Sequence, residues 1–169
     1  YIDTGSAIIN GRTIKNWDLK AHGKLTMMNV IEKSINTGTI FAEKTMGHGV
    51  FYDYLNKFGF NEITNVDLPG EVKSNISHLQ KGKDVDFATA SFGQGVAVTP
   101  IAFISAASTI ANGGVLMKPL LLANEKPEIM RRVISEDTAK KITAMMVSAV
   151  HKNVIAEIPN YEIAGKTGT

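Results

Sequence analysis

Ser34-Ile35-Asn36-Thr37-Gly38 interrupts a helical pattern, and the reading of that interruption decides the fold. Before it, Thr26 can cap a helix over Met27 to Lys33, with Met27, Val30 and Ile31 apolar at helical spacing. After it, Ile40 and Phe41 mark a helix resuming over Thr39 to Thr45 and stopping near Gly47. Ser and Asn bond readily to nearby backbone, which suits a polar break between two helices. Read alone, Ser34-x-Asn36 is such a break, since a three-residue pattern is too short to name a chemistry.

Working outward, Tyr1 to Leu25 is rich in Gly, Asn and Asp and reads as loop with a short hairpin around Asn10-Gly11. Phe51, Leu55 and Phe58 mark a short helix closed by Gly59, and Asn61 to Asp86 reads as a long irregular excursion. Thr99 as N-cap, Pro100 in the first turn and Asn112-Gly113-Gly114 as a stop bound a helix. Its residues from Ile101 to Ala111 are apolar or small, so burial on most sides is expected. Val115 to Leu122 and Ile129 to Ile134 read as strands. Ser135 caps a further helix, with Glu136 and Asp137 at its start and Lys152 near its end. Tyr161 to Ala164 reads as a strand running into Gly165-Lys166-Thr167-Gly168-Thr169. Helices early and strands late, without βαβ alternation, give an α+β fold with an antiparallel sheet.

Composition narrows the chemistry. The 169 residues are 44% apolar and 20% charged with a net charge of +2, which fits one globular domain. No cysteine is present, so disulfides, thiolate catalysis and zinc–thiolate sites are excluded. Lys and Arg form no cluster interleaved with aromatics, so no nucleic-acid partner is expected. His22, His48, His78 and His151 are scattered without a metal-binding spacing, and read as solvated surface. Asp84-Val85-Asp86 begins like a calcium loop, but Phe87, Ala88 and Thr89 abandon the pattern. Gly93-Gln94-Gly95 lacks the third glycine of a dinucleotide fingerprint, because position 98 is Val98; a tight turn is the better reading. No metal and no cofactor are expected.

Gly165-Lys166-Thr167 resembles the end of a phosphate-binding loop, yet the required earlier glycine is replaced by Asn160, which leaves a nucleotide binder as a weak alternative. Taken alone, Lys166-Thr167-Gly168 is a strand end with a solvated lysine. Ser34-x-Asn36 and Lys166-Thr167-Gly168 together, in this order, are far more specific. They match the second and third members of a set that opens with Ser-x-x-Lys.

The resemblance then widens. Leu25 to Gly47 around Ser34-Ile35-Asn36-Thr37 is similar to the second-motif region of class B penicillin-binding proteins. Similar too are Phe58-Gly59-Phe60 with Asp67-Leu68-Pro69-Gly70-Glu71, and Ser91-Phe92-Gly93-Gln94-Gly95 through Thr99-Pro100. Ala111-Asn112-Gly113-Gly114 and Ala164-Gly165-Lys166-Thr167-Gly168-Thr169 complete the likeness.

That resemblance implies part of a penicillin-binding/serine β-lactamase-like transpeptidase domain: a helical subdomain plus part of an antiparallel sheet. No serine here is followed three residues later by lysine. Residues 1–169 are therefore expected to be an internal fragment that lacks the upstream Ser-x-x-Lys and the downstream strands, and to be inactive alone. The implied reaction is serine-type D,D-transpeptidation on peptidoglycan stem peptides, with β-lactams trapping the nucleophile. Ser34, Asn36 and Lys166 would be catalytic: Ser34 relays a proton, Asn36 holds the missing lysine and the substrate amide, and Lys166 supplies positive charge. Thr167, Gly168 and Thr169 would bind substrate. The resemblance further implies a membrane anchor outside this chain, a domain facing away from the cytoplasm, and partners in a glycosyltransferase and the cell-wall synthesis machinery. A non-catalytic β-lactam sensor and a serine β-lactamase relative remain as alternatives.

Overall fold

The computed structural model describes residues 1–153 and 156–168. Two compact units emerge, one from Tyr1–His48, Gly82–Gly95 and Ile142–Thr169, the other from Gly49–Lys81 and Val96–Lys141.

The first unit begins with β1 (Ile2–Asp3) and a hairpin of β2 (Ser6–Ile9) and β3 (Arg12–Lys15). The hairpin pairs Ile9 with Arg12, leaving Asn10 and Gly11 as a two-residue turn. Their φ values of 48° and 76° are those such a turn requires, which is why Asn-Gly foretold it. β4 (Gly23–Lys24) returns antiparallel to β1. Next come α1 (Met27–Lys33) and α2 (Asn36–Met46). Thr26 caps α1 by accepting the Asn29 N–H. Gly38 is the close-approach point: a Cβ there would lie 2.4 Å from Val30 Cγ2, so no side chain fits. Leu25, Val30 and Ile35 form one core cluster. Ile9, Ile40 and Ala88 form another, with Phe92 packed against it.

α3 (His48–Lys57) follows Gly47. Within the stretch expected to be irregular, Ser77–Lys81 forms a short 3-10 turn that buries Leu79. That stretch also yields the start of α4 (Asp84–Ala90). Asp84 stays at the surface and Asp86 is half-buried. Both acids sit in the first turn of α4, where the helix dipole favours them, and Asp86 Oδ2 accepts the Lys83 N–H at 2.8 Å. The surface reading of His48 is corrected. Its ring stacks on Phe87 at 4.1 Å, with Nδ1 2.6 Å from the buried Glu43 and Nε2 3.2 Å from Asp84.

In the second unit, α5 (Pro100–Ala111) starts with Pro100 after the Thr99 cap. It buries one face only, through Ala102, Ala106 and Thr109, while Phe103 and Ile104 are 63% and 60% exposed. Apolar composition all round therefore did not mean burial all round. The small residues are those that pack. β5 (Val115–Met117) and β6 (Ile129–Arg132) form an antiparallel pair. β5 stops well before Leu122 because Pro119 brings no N–H to a ladder. α6 (Glu136–Lys152), whose residues from Ile142 onward belong to the first unit, carries Glu136 and Asp137 in its first turn and His151 and Lys152 in its last.

The fold is α+β, its described strands forming three two-stranded antiparallel pairs. Tyr161 to Ala164, expected as a strand, is irregular. No described strand pairs with it, and without a ladder the pattern has nothing to hold it extended. Gly165 instead donates its N–H to Met146 O of α6, at 3.3 Å.

Candidate active site

Ser34 terminates α1 in the left-handed conformation, φ 54° and ψ 50°. For a residue with a Cβ this costs on the order of 1 kcal/mol, tolerated where the surroundings dictate it. Ile35 supplies that constraint: it is fully buried, and its N–H bonds Val30 O at 3.0 Å. Burial alternates along the turn, so Ile35 and Thr37 point inward while Ser34 and Asn36 remain half-buried at the surface. Asn36 Nδ2 donates to Lys15 O at 3.0 Å, leaving a second amide hydrogen for another acceptor.

Lys166 comes to this turn from the far end of the chain. Its Nζ donates to Ser34 Oγ at 2.7 Å, to Thr167 O at 2.8 Å and to Thr167 Oγ1 at 3.2 Å. An ammonium has three hydrogens and no acceptor, so these bonds use it fully. Partial burial pushes the Lys166 pKa down from 10.5. Ser34 Oγ accepts from Lys166, so its own hydrogen is directed elsewhere.

Ser34, Asn36, Lys166, Thr167 and Gly168 all line one cleft of about 350 Å³. A Cβ at Gly168 would meet nothing within 4 Å, so this wall is open to an approaching chain. Thr169 lies outside the described residues. Thr39 and the turn Ser91-Phe92-Gly93 line the same cleft. Ser91 Oγ lies 3.3 Å from Thr39 Oγ1 and donates to Ala88 O at 2.7 Å, and Gly93 takes φ 88°.

The family model of the penicillin binding protein transpeptidase domain matches residues 1–169. The chain belongs to the penicillin-binding protein transpeptidase family. It is 32% identical over 183 residues to stage V sporulation protein D of Bacillus subtilis, with 100% of this chain covered. It is 33% identical over 165 residues to the peptidoglycan D,D-transpeptidase FtsI of Escherichia coli, with 95% covered. The chain spans about 28% of the length of these two relatives. The transpeptidase domain of penicillin-binding protein 3 from Burkholderia pseudomallei matches with a TM-score of 0.88 at 26% identity, over 99% of this chain and 52% of that one.

In this transpeptidase-family chain, sequence reading singled out Ser34, Asn36, Lys166, Thr167 and Gly168, and all five meet at one cleft. It had not placed Thr39 or Ser91 there. Ser91-Phe92-Gly93 stood out only as part of a wider resemblance, and Thr39 carried no motif; its position one turn beyond Asn36 on α2 was the available signal. The phosphate-loop alternative is set aside, because the chain matches the transpeptidase family and Lys166 is directed at Ser34.

Proposed function

We propose that this chain forms one side of the active site of a serine D,D-transpeptidase that cross-links peptidoglycan. The observation that carries the reading is the 2.7 Å bond from Lys166 Nζ to Ser34 Oγ within a cleft. Two motifs that are unremarkable singly become one polar centre.

The nucleophile and its base come from a Ser-x-x-Lys outside these 169 residues, since none of the serines here has a lysine three positions on. That serine attacks the penultimate D-Ala carbonyl of a stem peptide while its lysine takes the proton. As the peptide C–N bond breaks, Ser34 passes its hydrogen to the departing amine, and the upstream lysine returns a proton to Ser34. Lys166 donates into Ser34 Oγ and so favours release of that hydrogen. Its charge, with the hydroxyls of Thr167 and Thr169, receives the terminal carboxylate of the substrate. The Thr169 N–H would be one of the two oxyanion donors. Asn36 holds the upstream lysine with Oδ1 and the substrate amide with its remaining N–H. Gly168 has no side chain to obstruct the peptide, which lies along the backbone there. An amine of a neighbouring strand then attacks the acyl-enzyme and completes the cross-link.

β-Lactams enter the same centre and acylate the same serine. The whole protein is read as membrane-anchored, with this domain outside the cytoplasm and a glycosyltransferase and the cell-wall machinery as partners. Among the described residues no helix is long and apolar enough to cross a membrane. The test is labelling of the full-length protein with a fluorescent penicillin. Ser34→Ala and Lys166→Ala should each slow acylation by about 10² to 10³, as loss of one oxyanion donor does. Full-length protein that takes no label, or variants that label at the wild-type rate, would refute the reading.

A further inference from the structure

Ser34 and Asn36 flank the start of α2, which no local side chain caps. Ile35 is the N-cap of α2 and offers no side-chain bond to the helix start. The missing bond comes from far upstream in sequence. Asn16 Oδ1 accepts the Thr37 backbone N–H at 3.2 Å and so does what a local Ser or Asp cap would do.

Asn16 is in turn oriented by Asp3. Its Nδ2 donates to Asp3 Oδ2 at 2.9 Å and to Lys20 O at 3.0 Å, which fixes the amide with Oδ1 toward Thr37. Thr37 Oγ1 donates to Asp3 Oδ1 at 2.7 Å and also lies 3.0 Å from Asn16 Oδ1. A hydroxyl has one hydrogen, and Asp3 takes it, so Tyr1 is the donor in the 2.8 Å bond between its hydroxyl and Thr37 Oγ1. The N–H groups of Gly5 and His22 complete the Asp3 carboxylate, both at 2.9 Å. Four donors satisfy a carboxylate that is 2% exposed, beside Asn16 at 1% and Thr37 at 7%. Burial alone would raise the Asp3 pKa. The hydrogen bonds, led by that of Thr37, outweigh it and bring the pKa down to about 2.

Apolar residues of similar volume could fill this space without desolvating a charge. What a satisfied polar network adds is a single fixed geometry. We propose that Asp3, Asn16 and Thr37 are positioning residues for catalysis: the buried carboxylate orients Asn16 and Thr37, and these set the start of α2 so that Ser34 and Asn36 face the cleft. Thr37 follows Asn36 directly and lies three residues from Ser34, so loosening it displaces both. The inference rests on the transpeptidase reading above.

The experiment measures acylation of the full-length protein by a fluorescent penicillin, separating the first-order acylation constant from the penicillin dissociation constant. Labelling is run to completion well below the melting temperature, so that final stoichiometry reports the folded fraction. Thr37→Val keeps the shape and removes the hydroxyl. It should lower the first-order constant about 10- to 100-fold, as misplacement of a reacting group does, with full stoichiometry and little change in the dissociation constant. Thr37→Ser restores the hydroxyl and should restore the rate. A folded Thr37→Val protein with the wild-type constant overturns the proposal, as does a Thr37→Ser protein as slow as Thr37→Val. Should Thr37→Val not fold, Tyr1→Phe decides, since it removes only the outer hydroxyl of the network. A reduced first-order constant at full stoichiometry supports the proposal, and an unchanged one overturns it. The wild-type arm separates the two readings: absence of wild-type labelling removes the transpeptidase reading and this inference with it. Wild-type labelling with unaffected variants removes this inference alone.

Discussion

Lys166 donates its ammonium hydrogen to Ser34 Oγ at 2.7 Å, across 132 residues of sequence, while the Ser34 backbone holds a left-handed φ of 54°. The direction of that bond matters. The lysine cannot accept, so Ser34 is left with a polarised oxygen and a hydrogen free for a third group. A proton relay needs this arrangement, and a merely structural serine at a helix end does not.

The left-handed backbone separates stability from activity at this residue. Glycine accepts φ 54° without the Cβ penalty, whereas alanine keeps the penalty and loses the hydroxyl. Ser34→Gly should therefore be more stable than Ser34→Ala by about 1 kcal/mol, less the extra chain entropy glycine loses. Both should acylate with penicillin equally slowly. Urea unfolding of the two variants, beside their acylation rates, checks this, and equal stabilities would show that the turn relaxes around the side chain.

Lys166 sets an alkaline limit. Burial disfavours its charged form, so its pKa lies below 10.5 and it loses its proton earlier than a solvated lysine on raising the pH. The neutral amine no longer attracts a carboxylate, so acylation should fall with rising pH, with a midpoint below 10.5. Lys166→Arg, whose guanidinium stays charged, should be slower at neutral pH but should lack that descending limb. The pH–rate profiles of the two proteins are the measurement. A limb retained in Lys166→Arg assigns the titration to another group.

His48 gives the stability of the first unit a pH dependence, through a pKa shift opposite in direction to that of Lys166. Burial alone would lower its pKa, but the bonds to Glu43 and Asp84 outweigh this and raise it above 6.5. A raised histidine pKa stabilises the folded state fully below the unfolded value, and the contribution is lost as the pH climbs through the folded one. The protein should thus lose stability relative to His48→Gln as pH rises above 6.5. Melting curves of both proteins between pH 6 and 9 test this; parallel curves would mean that the histidine contributes through its stack on Phe87 and not through charge.

The parts legible in the sequence share a local cause. Asn10-Gly11, Thr26, and Thr99-Pro100 each encode a backbone conformation by their own chemistry, and the hairpin and two helix starts fell where these placed them. The junction at Ser34 and Asn36 was legible for the same reason, although α2 begins at Asn36, earlier than the Thr39 expected. That shift has a non-local cause, since the helix start is capped by Asn16 from outside the local sequence. His48 was misread likewise, because its partners Asp84 and Phe87 lie some 36 residues or more away and only folding brings them together. The cleft residues Thr39 and Ser91 come from different helical segments, and no local pattern marks them as neighbours.

Labelling of the isolated 169-residue chain tests the division of roles within the site. Ser34 carries a polarised oxygen beside a cation, so it could be mistaken for the nucleophile. A nucleophilic serine needs a base that accepts its proton, and Lys166 is held as a donor by three acceptors, with Asn36 offering no basic nitrogen. The isolated chain should therefore form no stable covalent adduct with a penicillin between about pH 6 and 9, the range in which a catalytic base is normally poised. Intact-mass spectrometry after penicillin treatment reads this directly, with the full-length protein as the positive control. Labelling of the full-length protein should survive Ser34→Ala at a reduced rate, if the acylated oxygen belongs to another serine as proposed. An adduct mapped to Ser34, in either protein, would instead make Ser34 the nucleophile and Lys166 its base, and the relay assigned here would have to be given to a different hydroxyl.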